Sequence, residues 1–217
     1  MRKDRLIAMG GAILVAVVGG IVPSVGARAA DADPVAAMSD EEQTDRFWKI
    51  IERTRSPDGD QERQMAALAA ELSAMPPDEI EAFGAVFDRL LIESYSWDLW
   101  GAAHVIMGGA SDDSFDYFRV WLISRGRSVF EAARANPDEL AALIPAGFDE
   151  AAEFELLAYV AADAWAEKTG DDPTNMPRPA YPTYPDEPMG EPFDESSGDL
   201  AERYPRLWAR FSEAPLG

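Results

Sequence analysis

The chain has 217 residues, with 40 Asp and Glu against 19 Lys and Arg, a formal net charge of −21, one His and no Cys. The lack of Cys excludes disulfides, thiolate nucleophiles, Cys-ligated zinc and iron–sulfur clusters, and a single His excludes a His-rich metal site. The acidic balance argues against nucleic acid as the main partner, because a phosphate backbone requires a cationic footprint; a hydrophobic content of 47% is enough to fold most of the chain.

Arg2, Lys3 and Arg5 precede an uncharged run from Leu6 onward, and Ala27-Arg28-Ala29 follows. A basic start, an apolar middle and a small-x-small end fit a secretory signal cleaved after Ala29. The uncharged stretch over residues 6–27 is also long enough to anchor in a membrane if it is retained. The alternative is a cytoplasmic protein whose translation starts at Met38, ahead of Ser39-Asp40-Glu41-Glu42.

From Asp40 the pattern is helix after helix. Asp45-Arg46-Phe47-Trp48-Lys49-Ile50-Ile51 has apolar residues at helical spacing, and Ser56-Pro57-Asp58-Gly59 stops it. Gln61 to Met75 carries Met65, Leu68 and Leu72 on one face. Pro76-Pro77-Asp78-Glu79 ends that helix and opens the next, with acids in the first turn where the dipole favours them. Ile80, Phe83, Val86/Phe87 and Leu90/Leu91 mark its buried stripe. A helix over Trp97 to Met107 closes at Gly108-Gly109. Ser111-Asp112 caps another through Ser124, Gly126 interrupts before Ser128 to Ala135, and Asn136-Pro137-Asp138-Glu139 starts a short helix to Ile144. Asp149 to Lys168 reads as the last long helix, with Phe154, Leu157, Val160/Ala161 and Trp165 on one side. No run alternates with β-branched enrichment, so the fold is expected to be all-α, a compact multi-helix bundle.

Between Asp171 and Asp194 seven prolines are interleaved with Tyr181, Tyr184 and Phe193. Such a segment is expected to be extended, a strap lying on the bundle with its aromatic rings tucked in. Pro182-Thr183-Tyr184-Pro185 also matches the P-x-x-P form of a polyproline ligand. Asp199 to Phe211 then reads as a short amphipathic helix docking back through Leu200, Tyr204, Leu207/Trp208 and Phe211. These signals divide the chain into a signal peptide or anchor over residues 1–29, a linker over 30–40, a helical domain over 41–170, a Pro-rich extended segment over 171–197 and a terminal helix over 198–213.

The stretch Tyr95-Ser96-Trp97-Asp98-Leu99-Trp100-Gly101-Ala102-Ala103-His104 through Gly108-Gly109-Ala110-Ser111-Asp112-Asp113 resembles the signature of a bacterial domain-of-unknown-function family, DUF4240. Phe115-Asp116-Tyr117-Phe118-Arg119, Trp121 to Arg127, Phe47-Trp48 and Glu167-Lys168-Thr169-Gly170 extend the resemblance over about residues 45–170. It implies a shared fold and supplies no reaction. The family pattern commonly has Cys at the position of Ala110 and an aromatic residue at that of His104, so chemistry that needs that thiol is absent from this chain.

Asp112, Asp113 and Asp116 form an Asp-Asp-x-x-Asp spacing that puts carboxylates on neighbouring faces of one helix, where they could hold Mg²⁺. The spacing is similar to that of isoprenoid synthases, but the chain is too short for that fold. A simpler account places Asp112 and Asp113 in the first turn, where each gains about 0.3–1 kcal/mol from the helix dipole, and pairs Asp116 with Arg119 at i, i+3. Apolar residues surround this helix from Phe115 to Ile123, so it is expected to be buried with one thin polar stripe that either pairs internally or lines a pocket. Trp97, Trp100, Arg119 and Trp121 are the residues expected to build that stripe and its surroundings. His104 shares a face with Trp97 and Trp100; as a general base it would need a nucleophile, for which Ser111 is nearest in sequence.

The pattern supports an acidic all-α binding module without a cofactor, engaging a basic or apolar protein surface. The alternative is a Mg²⁺-dependent hydrolase or transferase using Asp112, Asp113 and Asp116, with His104 and Ser111 as catalytic candidates.

Overall fold

A computed structural model describes residues 38–56, 58–178 and 184–217; the expected signal or anchor over 1–29 and the linker up to residue 37 lie outside the described residues. Within them the fold is all-α. Its helices are α1 Asp40–Thr54, α2 Gln61–Ser73, α3 Pro77–Glu93, α4 Trp97–Met107, α5 Asp112–Ser124, α6 Arg127–Ala135, α7 Leu140–Leu143, α8 Val160–Thr169, α9 Ser197–Arg203 and α10 Pro205–Phe211. Single 3₁₀ turns occur at Pro137–Glu139, Glu155–Ala158 and Pro173–Asn175. Among the described residues the only β-type pairing is an isolated parallel bridge between Ser96 and Met189, and no helix is long and apolar enough to cross a membrane.

The local chemistry accounts for most helix ends. Ser39 closes a capping box at α1: its hydroxyl accepts from the Glu42 amide at 3.3 Å, and the Glu42 carboxylate accepts from the Ser39 amide at 2.9 Å. Asp60, Ser96 and Ser111 cap α2, α4 and α5 in the same sense. Gly108 ends α4 at φ 72°, in the left-handed region that glycine enters without Cβ strain.

Helices α1, α2, α3 and α8 pack on one another, while α4, α10, the 137–139 turn, α6 and α7 form a second group. Helix α5 touches α3, α4 and α6, and Phe115, Phe118, Val120, Trp121, Leu122 and Ile123 are all buried on it. The expectation of a central, ring-clad helix with one charged stripe therefore describes α5.

Three elements differ from the sequence reading. The helix expected from Asp149 begins only at Val160, preceded by the 155–158 turn. Phe154 donates its amide to the Tyr117 carbonyl on α5 at 3.1 Å, so a tertiary hydrogen bond holds 149–154 out of helix while Phe154, Leu157 and Trp165 are still buried. The single C-terminal helix is two: Tyr204 adopts φ −127°, ψ 62°, and Pro205 starts α10 afresh, because proline has no amide to continue the α9 ladder. The 136–144 helix is a 3₁₀ turn followed by the four residues of α7.

Candidate binding groove at the α4–α5 corner

The corner is assembled from local spacing. Trp97 and Trp100, at i and i+3 of α4, stack with ring centroids 5.1 Å apart and planes 9° from parallel. The Gly108–Ser111 connection then turns the chain so that Phe115 of α5 stacks on Trp100 as well, at 4.9 Å and 11°. Trp100 fixes that turn by donating its indole N–H to the Ala110 carbonyl at 3.0 Å. Offset ring stacks of this kind add about 0.5–1.5 kcal/mol each beyond area burial.

Arg119, one turn after Phe115, is 2% exposed. Its guanidinium lies 4.9 Å from the Tyr95 ring centroid, 5.0 Å from Phe115 and 5.6 Å from Tyr184. Nη1 donates to the Leu91 carbonyl at 2.6 Å, Nη2 pairs with Asp116, and Nε has no partner among the described residues. Arg119 thus joins the end of α3, the start of α4 and the body of α5. Burial raises the Asp116 carboxyl above its ordinary range despite the adjoining guanidinium; removing the carboxylate from water costs more than the pairing returns.

The structure sorts the candidate residues. Trp97, Trp100, Asp116 and Arg119 meet at this corner. Trp121, 1% exposed, belongs to the other end of α5, against Phe118, Phe148 and the Arg125 guanidinium. Asp112 and Asp113 are exposed in the first turn of α5. Asp116 is turned to Arg119, and among the described residues no group of three or more His, Cys, Asp or Glu is placed to hold a metal. The Ser111 hydroxyl accepts from the Ser114 amide at 3.2 Å as an N-cap. The His104 ring stands 5.6 Å from Phe193, and its buried Nδ1 has no hydrogen-bond partner among the described residues.

Sequence reasoning did not identify what covers the corner. The segment 184–193 of the Pro-rich strap crosses it, pairing through one bridge residue, Met189, and bending at 186–187 and at Gly190 (φ 88°). The Met189 amide donates to the Tyr95 carbonyl at 3.0 Å, and the Trp97 amide donates to the Met189 carbonyl at 2.9 Å. Tyr184 packs 5.0 Å from Tyr95, and burial pushes its hydroxyl up to about 12. Phe193 meets Trp97 edge-on at 6.1 Å. The aromatics among the prolines were the signal available; their target on α4 was not.

No curated protein and no solved structure matches this chain. The family model described as "Protein of unknown function (DUF4240)" matches residues 43–167. That range contains every wall of the corner described above, from Leu91 to Arg119, and ends before the strap that fills it. With more than half of its 217 residues matched, the chain belongs to the DUF4240 family.

Proposed function

We propose that this chain is a binding module, an acidic all-α domain whose α4–α5 corner receives a protein segment of basic or apolar chemistry. The observation that carries this reading is the corner itself. It offers main-chain groups at Tyr95 and Trp97 and the rings of Tyr95 and Trp97 to a chain lying across it, which is how sheet-edge and groove receptors take peptides. Exposed Asp112 and Asp113 stand at the start of α5 on a chain of net charge −21, so encounter with a basic partner would be fast and salt-dependent. The basic-then-apolar start supports a secreted or membrane-anchored location for this binding.

The test is affinity capture from native cell extract with the full chain and with a charge-reversed variant, Asp112→Lys with Asp113→Lys. Both residues are exposed, so the fold is expected to survive. A retained protein released by raised salt and lost with the variant supports the reading. Identical retention by both forms, unaffected by salt, overturns it.

A further inference from the structure

The segment 184–193 is held very differently in its middle and at its ends. Upstream, Met176 is buried against Gly84, and Arg178 pairs with Asp88 on α3. Downstream, Leu200, Tyr204, Leu207 and Phe211 are buried, and the Asp138 carboxylate accepts from the Arg206 and Leu207 amides at the start of α10 at 3.0 and 2.9 Å. Between these anchors, among the described residues, the segment meets α4 and α5 through the two main-chain hydrogen bonds at Met189 and the Tyr184 and Phe193 rings, and Arg203 of α9 donates to the Glu191 and Pro192 carbonyls at 3.4 and 2.9 Å. A strap tied at both ends can lift in the middle without unfolding the bundle.

The middle of the strap is acidic. Segment 184–193 contains Asp186, Glu187 and Glu191 and no Lys or Arg. On the receiving side the start of α5 exposes Asp112 and Asp113, so segment and groove carry charge of the same sign; burial raises the Tyr95 hydroxyl, Arg119 opposes that shift, and Asp116, Asp112 and Glu187 add to it. Ring contacts and main-chain hydrogen bonds hold the segment, and it brings no cation to an acidic surface.

We infer that segment 184–193 is an internal, displaceable occupant of a groove whose external ligand is an extended, lysine- or arginine-bearing peptide with a Tyr or Phe side chain. The inference rests on the binding-module reading and adds the partner's chemistry and its control. The internal segment competes at the high effective concentration that tethering confers, so only a ligand with better complementarity displaces it. Exchanging acids for bases supplies that, because cations then meet a chain of net charge −21 whose α5 start exposes Asp112 and Asp113. Weakening the internal segment must then tighten external binding, since apparent affinity scales with the fraction of open groove.

The experiment uses the full chain and a fluorescent peptide of the 184–193 order carrying Asp186→Lys, Glu187→Lys and Glu191→Lys, read by anisotropy. Tyr184→Ala with Phe193→Ala is expected to raise its affinity by about tenfold through loss of the contacts these two rings make with Tyr95, Arg119, Trp97 and His104. The peptide of unaltered, acidic order is expected to bind more weakly, and the preference for the basic one to shrink as salt rises from about 0.05 M to about 0.5 M. Met189→Pro, which removes the amide donated to Tyr95 and fixes the local φ, is the second variant if the double one does not fold, with the same gain expected. Equal affinity of wild type and a folded strap variant, or equal binding of acidic and basic peptides, overturns the inference. If no peptide binds yet salt-sensitive capture persists and depends on Asp112 and Asp113, the groove inference alone falls; if capture is also unaffected by salt and charge reversal, the binding-module reading falls with it.

Discussion

Replacing Arg119 with alanine withdraws the donor from the Leu91 carbonyl, the partner from Asp116 and the cation from three ring faces at once. The unpaired carbonyl costs about 1–3 kcal/mol. The lost cation–ring contacts add about 0.5–1 kcal/mol each. The Asp116 side chain is 32% exposed, so water takes over much of the role of its lost partner. The total is about 3–5 kcal/mol, the range for breaking a buried pair from one side. Arg119→Met keeps most of the volume and is expected to cost about 2 kcal/mol less than alanine, since buried ionic groups are often replaceable by well-packed apolar ones. Asp116→Asn is expected to cost under about 1 kcal/mol, because burial already disfavours the charged carboxyl. Urea unfolding of the full chain, followed by tryptophan fluorescence, measures all three. An Arg119→Ala loss below about 1 kcal/mol, or Asp116→Asn costing more than Arg119→Met, would refute the account of Arg119 as the joint between α3, α4 and α5.

Other consequences are as direct. Asp138→Ala removes the carboxylate that takes both first-turn amides of α10 and the Arg206 Nε at 3.1 Å; a loss of about 2 kcal/mol is expected, with new cleavage between residues 190 and 204 in limited proteolysis, and an unchanged digest would contradict it. Gly101→Ala brings a Cβ closer to the Tyr204 hydroxyl oxygen than van der Waals contact permits and so should displace the ring from the Asp98 carbonyl it donates to, costing about 1–3 kcal/mol in melting experiments. Burial pushes the Tyr184 and Tyr204 hydroxyls up to about 12. The unfolded chain therefore loses these protons first, and stability falls as pH rises from about 10 to about 12; Tyr184→Phe should flatten that fall, and native tyrosinate absorbance already complete near pH 10 would refute it. Mass spectrometry of the mature chain should find Ala30 as its first residue if the signal is cleaved. Met1 would indicate retention, and Met38 or Ser39 a cytoplasmic start.

The α4–α5 corner shows how a family signature converts into structure. Its Trp-x-x-Trp spacing stacks two indoles, its double glycine reverses the chain, and its Ser-Asp-Asp start caps the helix that brings Phe115 and Arg119 underneath. The three aspartates form one constellation in sequence. In space, two face solvent and the third is turned to Arg119, so residue spacing alone overstates their common purpose. His104 and Ser111, close in sequence, are employed apart, one against Phe193 and the other as a cap.

What the amino-acid order determined by itself was everything that operates within a turn or two: helix starts at Ser39, Ser96 and Ser111, the stop at Gly108, the buried stripes of α1 to α6, and the i, i+3 pairing of Asp116 with Arg119. Capping and periodicity are short-range, so their signals are local. Only the tertiary structure decided that Leu91 receives the Arg119 proton, that Phe154 leaves helix to bond Tyr117, and that Tyr184, Met189 and Phe193 cross the Tyr95–Trp97 edge. Those pairings join groups far apart along the chain. They form because buried donors and rings must find partners wherever packing brings them, and no local pattern specifies which partner that will be.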